Sequence, residues 1–237
     1  MSKPFQFKQF TIRQDRCAMK VGTDGVLLGA WASVTHNPTT VLDIGAGTGL
    51  LALMLAQRSN AETIDALEID DAAFEQCVEN FEASPWADRL FCYHAGLNEF
   101  CTEVDDTYDL IVSNPPFYAE NVSSGDGSRD MARQNVSLPF KELLRCVSQL
   151  LAEEGVLAII VPFKEERRLI QISKSLGLFP KRITQVRGNP TSEVKRSLLE
   201  FTFQEMEVSK DELILEVDRH KYTLEYRELA KDFYLKM

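Results

Sequence analysis

Asn114-Pro115-Pro116-Phe117 is the segment of this chain best equipped to do chemistry. It closes a strand-like run, Tyr108–Ser113, and begins 65 residues after Gly49, the last glycine of Asp43-Ile44-Gly45-Ala46-Gly47-Thr48-Gly49. A planar exocyclic NH2 is a poor nucleophile, because its lone pair is delocalised into the ring. Two acceptors held against its protons favour a pyramidal nitrogen and free that lone pair. The Asn114 Oδ1 and the Pro115 carbonyl are acceptors of this kind, and the two prolines stiffen the backbone that carries them. Phe117 can stack on a planar group. Neither a general base nor a metal is required, since the ammonium formed can lose its proton to water. Asn-Pro and Pro-Pro also mark ordinary turns. What favours chemistry here is the place, at the carboxyl end of a strand downstream of a glycine turn.

The glycine turn follows one strand-like run and opens a helix-like one. Glycines permit a backbone approach that side chains forbid. Their spacing differs from the dinucleotide pattern Gly-x-Gly-x-x-Gly. Gly45, Gly47 and Gly49 at alternate positions resemble instead the turn of class I S-adenosylmethionine-dependent methyltransferases, which wraps the amino-acid and ribose parts of the cofactor. Glu68 ends the second strand, where a carboxylate can accept both ribose hydroxyl protons. Asp70 is its rival, two residues on. Asp43 sits at the tip of the first strand, placed to meet an ammonium. Each acid taken alone could equally be a helix N-cap or a solvated turn. The third strand ends in His94-Ala95-Gly96-Leu97, with glycine where that class usually has a carboxylate. Adenine recognition is therefore expected to fall to backbone groups.

These residues need a scaffold, and the hydrophobic pattern supplies one. Strands are expected at Val41–Ile44, Thr63–Ile69, Leu90–His94, Tyr108–Ser113, Gly155–Val161, Phe179–Val186 and Ser197–Gln204. Helices are expected at Leu50–Ala56, Ala72–Ala83, Leu138–Leu151 and Glu165–Leu176. Alternation of this kind predicts a mostly parallel, seven-stranded sheet with helices on both faces. The last two strands lack a helix between them and read as an antiparallel pair closing the edge. The fold class expected is α/β, Rossmann-like, and the resemblance to class I methyltransferases implies one methyltransferase domain spanning 1–237. Residues 1–40 read as an N-terminal extension and 206–237 as a segment packed on the core. Polar residues crowd Glu120–Ser137, a loop expected beside Asn114.

Net charge is −10, which argues against a generic polyanion binder. Two basic islands modify this. Residues 164–196 carry nine bases against three acids, and residues 1–25 carry five against two. Solvated faces would look the same. The five cysteines, Cys17, Cys77, Cys92, Cys101 and Cys146, form no Cys-x-x-Cys pair, so neither disulfide framework nor zinc site is expected. His36, His94 and His220 lack ligand spacing. No metal, no membrane span and no obligate protein partner are expected, and the setting expected is the cytoplasm.

Phe5-x-Phe7-Lys8-Gln9-Phe10, then Asp15-Arg16-Cys17-Ala18-Met19-Lys20-Val21-Gly22-Thr23-Asp24-Gly25-Val26-Leu27-Leu28-Gly29-Ala30-Trp31, and the ending Phe233-Tyr234-Leu235-Lys236-Met237 narrow the choice. With the motifs above they closely resemble the bacterial tRNA adenine-N6 methyltransferase family, over nearly the whole chain. That resemblance implies methylation of the N6 of adenosine 37, just 3′ of the anticodon of a valine tRNA. It also implies S-adenosylmethionine as cofactor, with Lys20, Gly22, Thr23 and Asp24 forming a lid over it. A plainer reading of that stretch makes Thr23 or Asp24 a helix N-cap. Guanine-N2 methylation of ribosomal RNA and glutamine methylation of protein share Asn-Pro-Pro-Phe. Their usual extra N-terminal domains do not fit in the 40 residues before the first strand. A non-catalytic S-adenosylmethionine-binding protein would not need an intact Asn114. Arg13, Arg16, Lys181, Arg182, Arg187, Lys195 and Arg196 are the candidate phosphate contacts for tRNA.

Overall fold

The computed structural model describes residues 3–116 and 139–237; Phe117 and Glu120–Ser137 lie outside the described residues. The chain opens with a small hairpin, β1 (Phe5–Gln6) against β2 (Thr11–Ile12). Alternation follows: α1 (Thr23–Trp31), β3 (Thr40–Ile44), α2 (Leu50–Arg58), β4 (Thr63–Glu68), α3 (Asp71–Glu82), β5 (Leu90–His94), α4 (Leu97–Glu103) and β6 (Tyr108–Ser113). Then come α5 (Phe140–Leu150), β7 (Leu151–Pro162), α6 (Glu166–Ser175), β8 (Phe179–Arg187), β9 (Val194–Thr202) and β10 (Ser209–Ile214). A second hairpin, β11 (Glu216–Asp218) with β12 (Lys221–Tyr222), leads into α7 (Leu224–Ala230).

The main sheet has the order β10-β8-β9-β7-β6-β3-β4-β5. Its strands are buried on both faces, which is why they read as continuous apolar runs. Along β7, Val156, Ala158 and Ile160 face the core beneath α1, α2, α3 and α7. Leu157, Ile159 and Val161 alternate into the core beneath α4, α5 and α6. Each such fully buried Leu, Ile or Val stabilises the fold by roughly 1.5–3 kcal/mol relative to exposure.

Among the described residues the sheet has eight strands, one more than the seven expected. The β8–β9 pair is antiparallel as expected, but it does not close the edge. β10 pairs parallel to β8 outside it, and β9 alone runs against the rest. β10 escaped the pattern because only Leu213 among its residues is buried; an edge strand needs little more than its backbone. The short α4 and the two small hairpins left no long apolar period either.

Chain direction matters for the site. After β3 the chain builds β4 and β5 on one side, then returns to lay β6 on the other. That reversal opens a crevice at the carboxyl ends of β3 and β6, where ligands of α/β sheets bind.

Candidate active site

Ile44 is paired with Ser113, so Gly45 and Asn114 leave adjacent strands at the same level. The Ser113 hydroxyl donates to the Ile44 carbonyl at 2.9 Å, tying the two strand ends together across 69 residues of chain. Asn114 is half-buried between a buried Ser113 and a buried Pro115.

The glycine turn has two faces. Gly45 and Gly47 adopt φ of 76° and 56°, and a Cβ built on either would meet nothing within 4 Å. Their open backbone forms a cradle. Gly49, at φ 77°, points the other way: a Cβ there would lie 2.5 Å from Phe81 Cε1 and 2.9 Å from Cys77 Sγ. It lets α3 close on the start of α2.

Glu68 braces the cradle from the neighbouring strand. Its Oε2 accepts from Gly47 N at 2.7 Å, while Oε1 accepts from Ile69 N and Asp70 N at 2.8 and 2.9 Å. Asp70 is engaged as the N-cap of α3, accepting from Ala73 N at 2.9 Å. Asp43 is wholly buried. Its Oδ2 accepts from Ala52 N at 3.2 Å, and its Oδ1 is a buried oxygen with no hydrogen-bond partner. Burial, with the Glu68 charge nearby, pushes this carboxyl up to about 7. A buried orphan acceptor beside an open cradle fits a cofactor that brings an ammonium and ribose hydroxyls.

A strap from Arg13 to Arg16 leads toward α1 and is clamped by two buried amides of α3. Asn80 accepts from Arg13 N at 2.8 Å and donates to the Arg13 and Thr48 carbonyls, each at 2.9 Å. Gln76 accepts from Arg16 N at 3.0 Å and donates to Asp15 Oδ1 at 2.8 Å. Gln14 Oε1 then accepts from Val21 N at 2.9 Å. These three amides were not foreseen as part of the site, although polar residues four apart on the apolar face of a helix were a legible signal. Cys17 is buried under the strap, and burial together with Glu68 pushes its thiol up to about 11.

Lys20 is exposed, and Gly22 rather than Thr23 or Asp24 is the N-cap of α1, with no side-chain cap. An extended glycine fills the cap position, which leaves both side chains for other partners. Asp24 accepts from Arg196 Nε at 2.7 Å. One residue on, a Cβ built on Gly25 would lie 2.9 Å from Leu50 Cδ2 and 3.9 Å from Asn114 Nδ2, so α1 approaches the crevice closely. Gly96 caps α4 through its backbone.

Most of the candidate phosphate contacts are committed elsewhere. Arg16 pairs with Glu75 at 2.9 Å and with Glu79, and Arg13 reaches Glu79 at 3.8 Å. Arg182 pairs with Glu200 at 3.4 Å and lies 3.7 Å over the Trp31 ring. Arg187 pairs with Glu212. Lys195 is exposed, one residue from Arg196. Among the described residues no cluster of metal-ligating side chains occurs, and no helix is long and apolar enough to cross a membrane.

A family model described as Methyltransferase small domain matches residues 26–168. A tRNA1(Val) (adenine(37)-N6)-methyltransferase of Flavobacterium johnsoniae is 62% identical, over 98% of this chain and 100% of that protein. One of Christiangramia forsetii is 60% identical, over 100% of this chain and 99% of its own length. Among solved structures, a predicted O-methyltransferase of Agrobacterium tumefaciens superposes with a TM-score of 0.68 at 20% identity, covering 89% of this chain and 96% of that one. The last likeness concerns the fold alone.

Proposed function

The chain belongs to the family of bacterial tRNA1(Val) (adenine(37)-N6)-methyltransferases, and from that premise we propose how its own residues carry the reaction. It is an S-adenosylmethionine-dependent enzyme that methylates the exocyclic N6 of adenosine 37 in a valine tRNA. The bound cofactor supplies an electrophilic methyl group. Asn114 Oδ1 and the Pro115 carbonyl take the two N6 protons in hydrogen bonds, and so direct the nitrogen lone pair outward. Pro116 holds the turn, and Phe117 stacks on the adenine. The cradle of Gly45 and Gly47 admits the cofactor, Gly49 shapes the turn from behind, Glu68 holds the ribose and Asp43 receives the ammonium. Lys20, Gly22, Thr23 and Asp24 form the lid.

The observation that carries this reading is the pairing of Ile44 with Ser113, which brings cradle and amide to one crevice. The whole chain works as one methyltransferase unit, in the cytoplasm and without an obligate protein partner. Residues 1–40 serve as lid and strap, and 206–237 as the packing segment behind them.

The deciding experiment supplies labelled S-adenosylmethionine and unmodified total bacterial tRNA, followed by nucleoside mass analysis. N6-methyladenosine is the expected product. Label in N2-methylguanosine, or in protein alone, would overturn the assignment of the acceptor.

A further inference from the structure

The start of α1 also lines a cleft of about 680 Å³, which shares Gly22 and Thr23 with the lid and otherwise lies outside the site above. Its walls come from distant parts of the chain: Thr23, Asn189 in the β8–β9 loop, Tyr222 and Tyr226 around the start of α7, then Tyr234 and Lys236. Tyr222 is 41% exposed and stands edge-to-face with Tyr226, ring centroids 5.3 Å apart. Tyr226 and Tyr234 line it together, and burial pushes both phenols up. Three tyrosines thus give the cleft an aromatic surface. Asn189 Oδ1 is occupied by Thr191, at 3.1 Å from its N and 2.9 Å from its Oγ1, which leaves the Nδ2 protons as donors. Lys236 adds a cation.

One wall of the cleft lies close to the reacting site. Thr23 precedes Gly25 by two residues, about 8 Å of chain at most, and Gly25 is the residue that faces Asn114. An enzyme acting on N6 must turn the target base out of its stack, and this strips the neighbouring base of a stacking partner. A tyrosine wall at such a range can replace that partner, since unstacked RNA bases are held on aromatic side chains. We propose that this cleft receives the base of a nucleotide flanking adenosine 37, stacked on Tyr222 and offered the Asn189 amide as a donor. This rests on the tRNA methylation stated above. The volume suits one nucleotide.

The test measures methyl transfer by wild type, Tyr222→Ala and Tyr222→Phe on an unmodified valine tRNA transcript. Companion transcripts carry an abasic residue on one or the other side of adenosine 37. Tyr222→Ala is expected to raise KM for tRNA about tenfold, with the loss in KM rather than kcat, and Tyr222→Phe to restore it. On one of the abasic transcripts the wild type should lose the same factor, and Tyr222→Ala should lose nothing more. An unchanged KM, or a loss that persists on both abasic transcripts, would overturn the cleft assignment while wild-type activity leaves the enzyme's function standing. A wild type inactive on every tRNA would bring down both.

Discussion

Arg196 Nε lies 2.7 Å from Asp24 Oδ2, and the pair joins the first turn of α1 to the one antiparallel strand of the sheet. Both side chains are about one-third exposed, 34% and 29%, so the pair contributes little to global stability. Its effect is local, at the lid. Arg196→Met is expected to weaken S-adenosylmethionine binding by about two- to fivefold while the melting temperature moves little. Isothermal titration calorimetry reads the first and thermal unfolding the second. An unaltered Kd would separate Asp24 from the cofactor pocket.

Asn114→Ala removes one of the two acceptors at the reacting nitrogen. Turnover is expected to fall by about a hundredfold or more, with the cofactor Kd within twofold of wild type. Single-turnover kinetics with saturating tRNA checks it. Near-normal turnover would remove Asn114 from the chemistry.

Gly47 and Gly49 should fail differently when given a methyl group. Gly49→Ala drives a Cβ into Phe81 and Cys77 and also carries the cost of a positive φ, so a loss of about 2–5 kcal/mol in unfolding free energy is expected. Gly47→Ala has open space around it and meets only its positive φ, which costs roughly 1–2 kcal/mol. Its methyl projects into the cradle, so its cofactor affinity should suffer more than its stability. Urea titrations alongside calorimetry separate the two, and matched losses in both variants would contradict the two-faced turn.

Asp43 makes stability depend on pH. Its carboxyl is raised from 3.8 to about 7, so between those values the native state keeps a proton that the unfolded chain has released. The stabilisation is complete below about pH 3.8 and lost as pH rises through about 7. Asp43→Asn keeps an acceptor for Ala52 N and cannot ionise. Its stability relative to wild type should therefore grow from about pH 4 to about pH 7 and level off above. Urea midpoints across that range test the sign; a constant offset would mean that Asp43 titrates normally.

Much of this architecture was readable before any coordinates. Continuous apolar runs announced the buried parallel strands, and the missing helix between β8 and β9 announced their antiparallel pairing. Gly45, Gly47 and Asn114 could be picked out because their types are demanded locally. The pairing of Asp24 with Arg196 could not, since 172 residues separate them and each is an ordinary surface charge in isolation. The amides of Gln76 and Asn80 escaped for a related reason. Their spacing on the apolar face of α3 marked them, but most of their partners are backbone groups of the strap and of Thr48, which leave no mark in residue type. β10 was hidden by its polar side chains.

Lys195 and Lys181 were alike as candidate phosphate contacts, and the sheet tells them apart. Lys195 stands beside Arg196, which pairs with Pro162 at the end of β7 near the crevice. Lys181 sits six residues below the upper end of β8, on the order of 20 Å away. Lys195→Glu is expected to weaken tRNA binding several-fold and to lower its salt dependence, whereas Lys181→Glu should do neither. Filter binding at several salt concentrations would show this, and equal effects would reject the placement.

The hairpin that leads into the lid is not anchored by its own neighbourhood in the sequence alone. Lys8 N donates to the Phe233 carbonyl at 2.9 Å, and Phe7 bridges to Tyr234. The hairpin leading into the strap is thus held by a segment far from it in sequence, and closing that long loop carries an entropic cost. Its order is therefore tied to the docking of Phe233 and Tyr234.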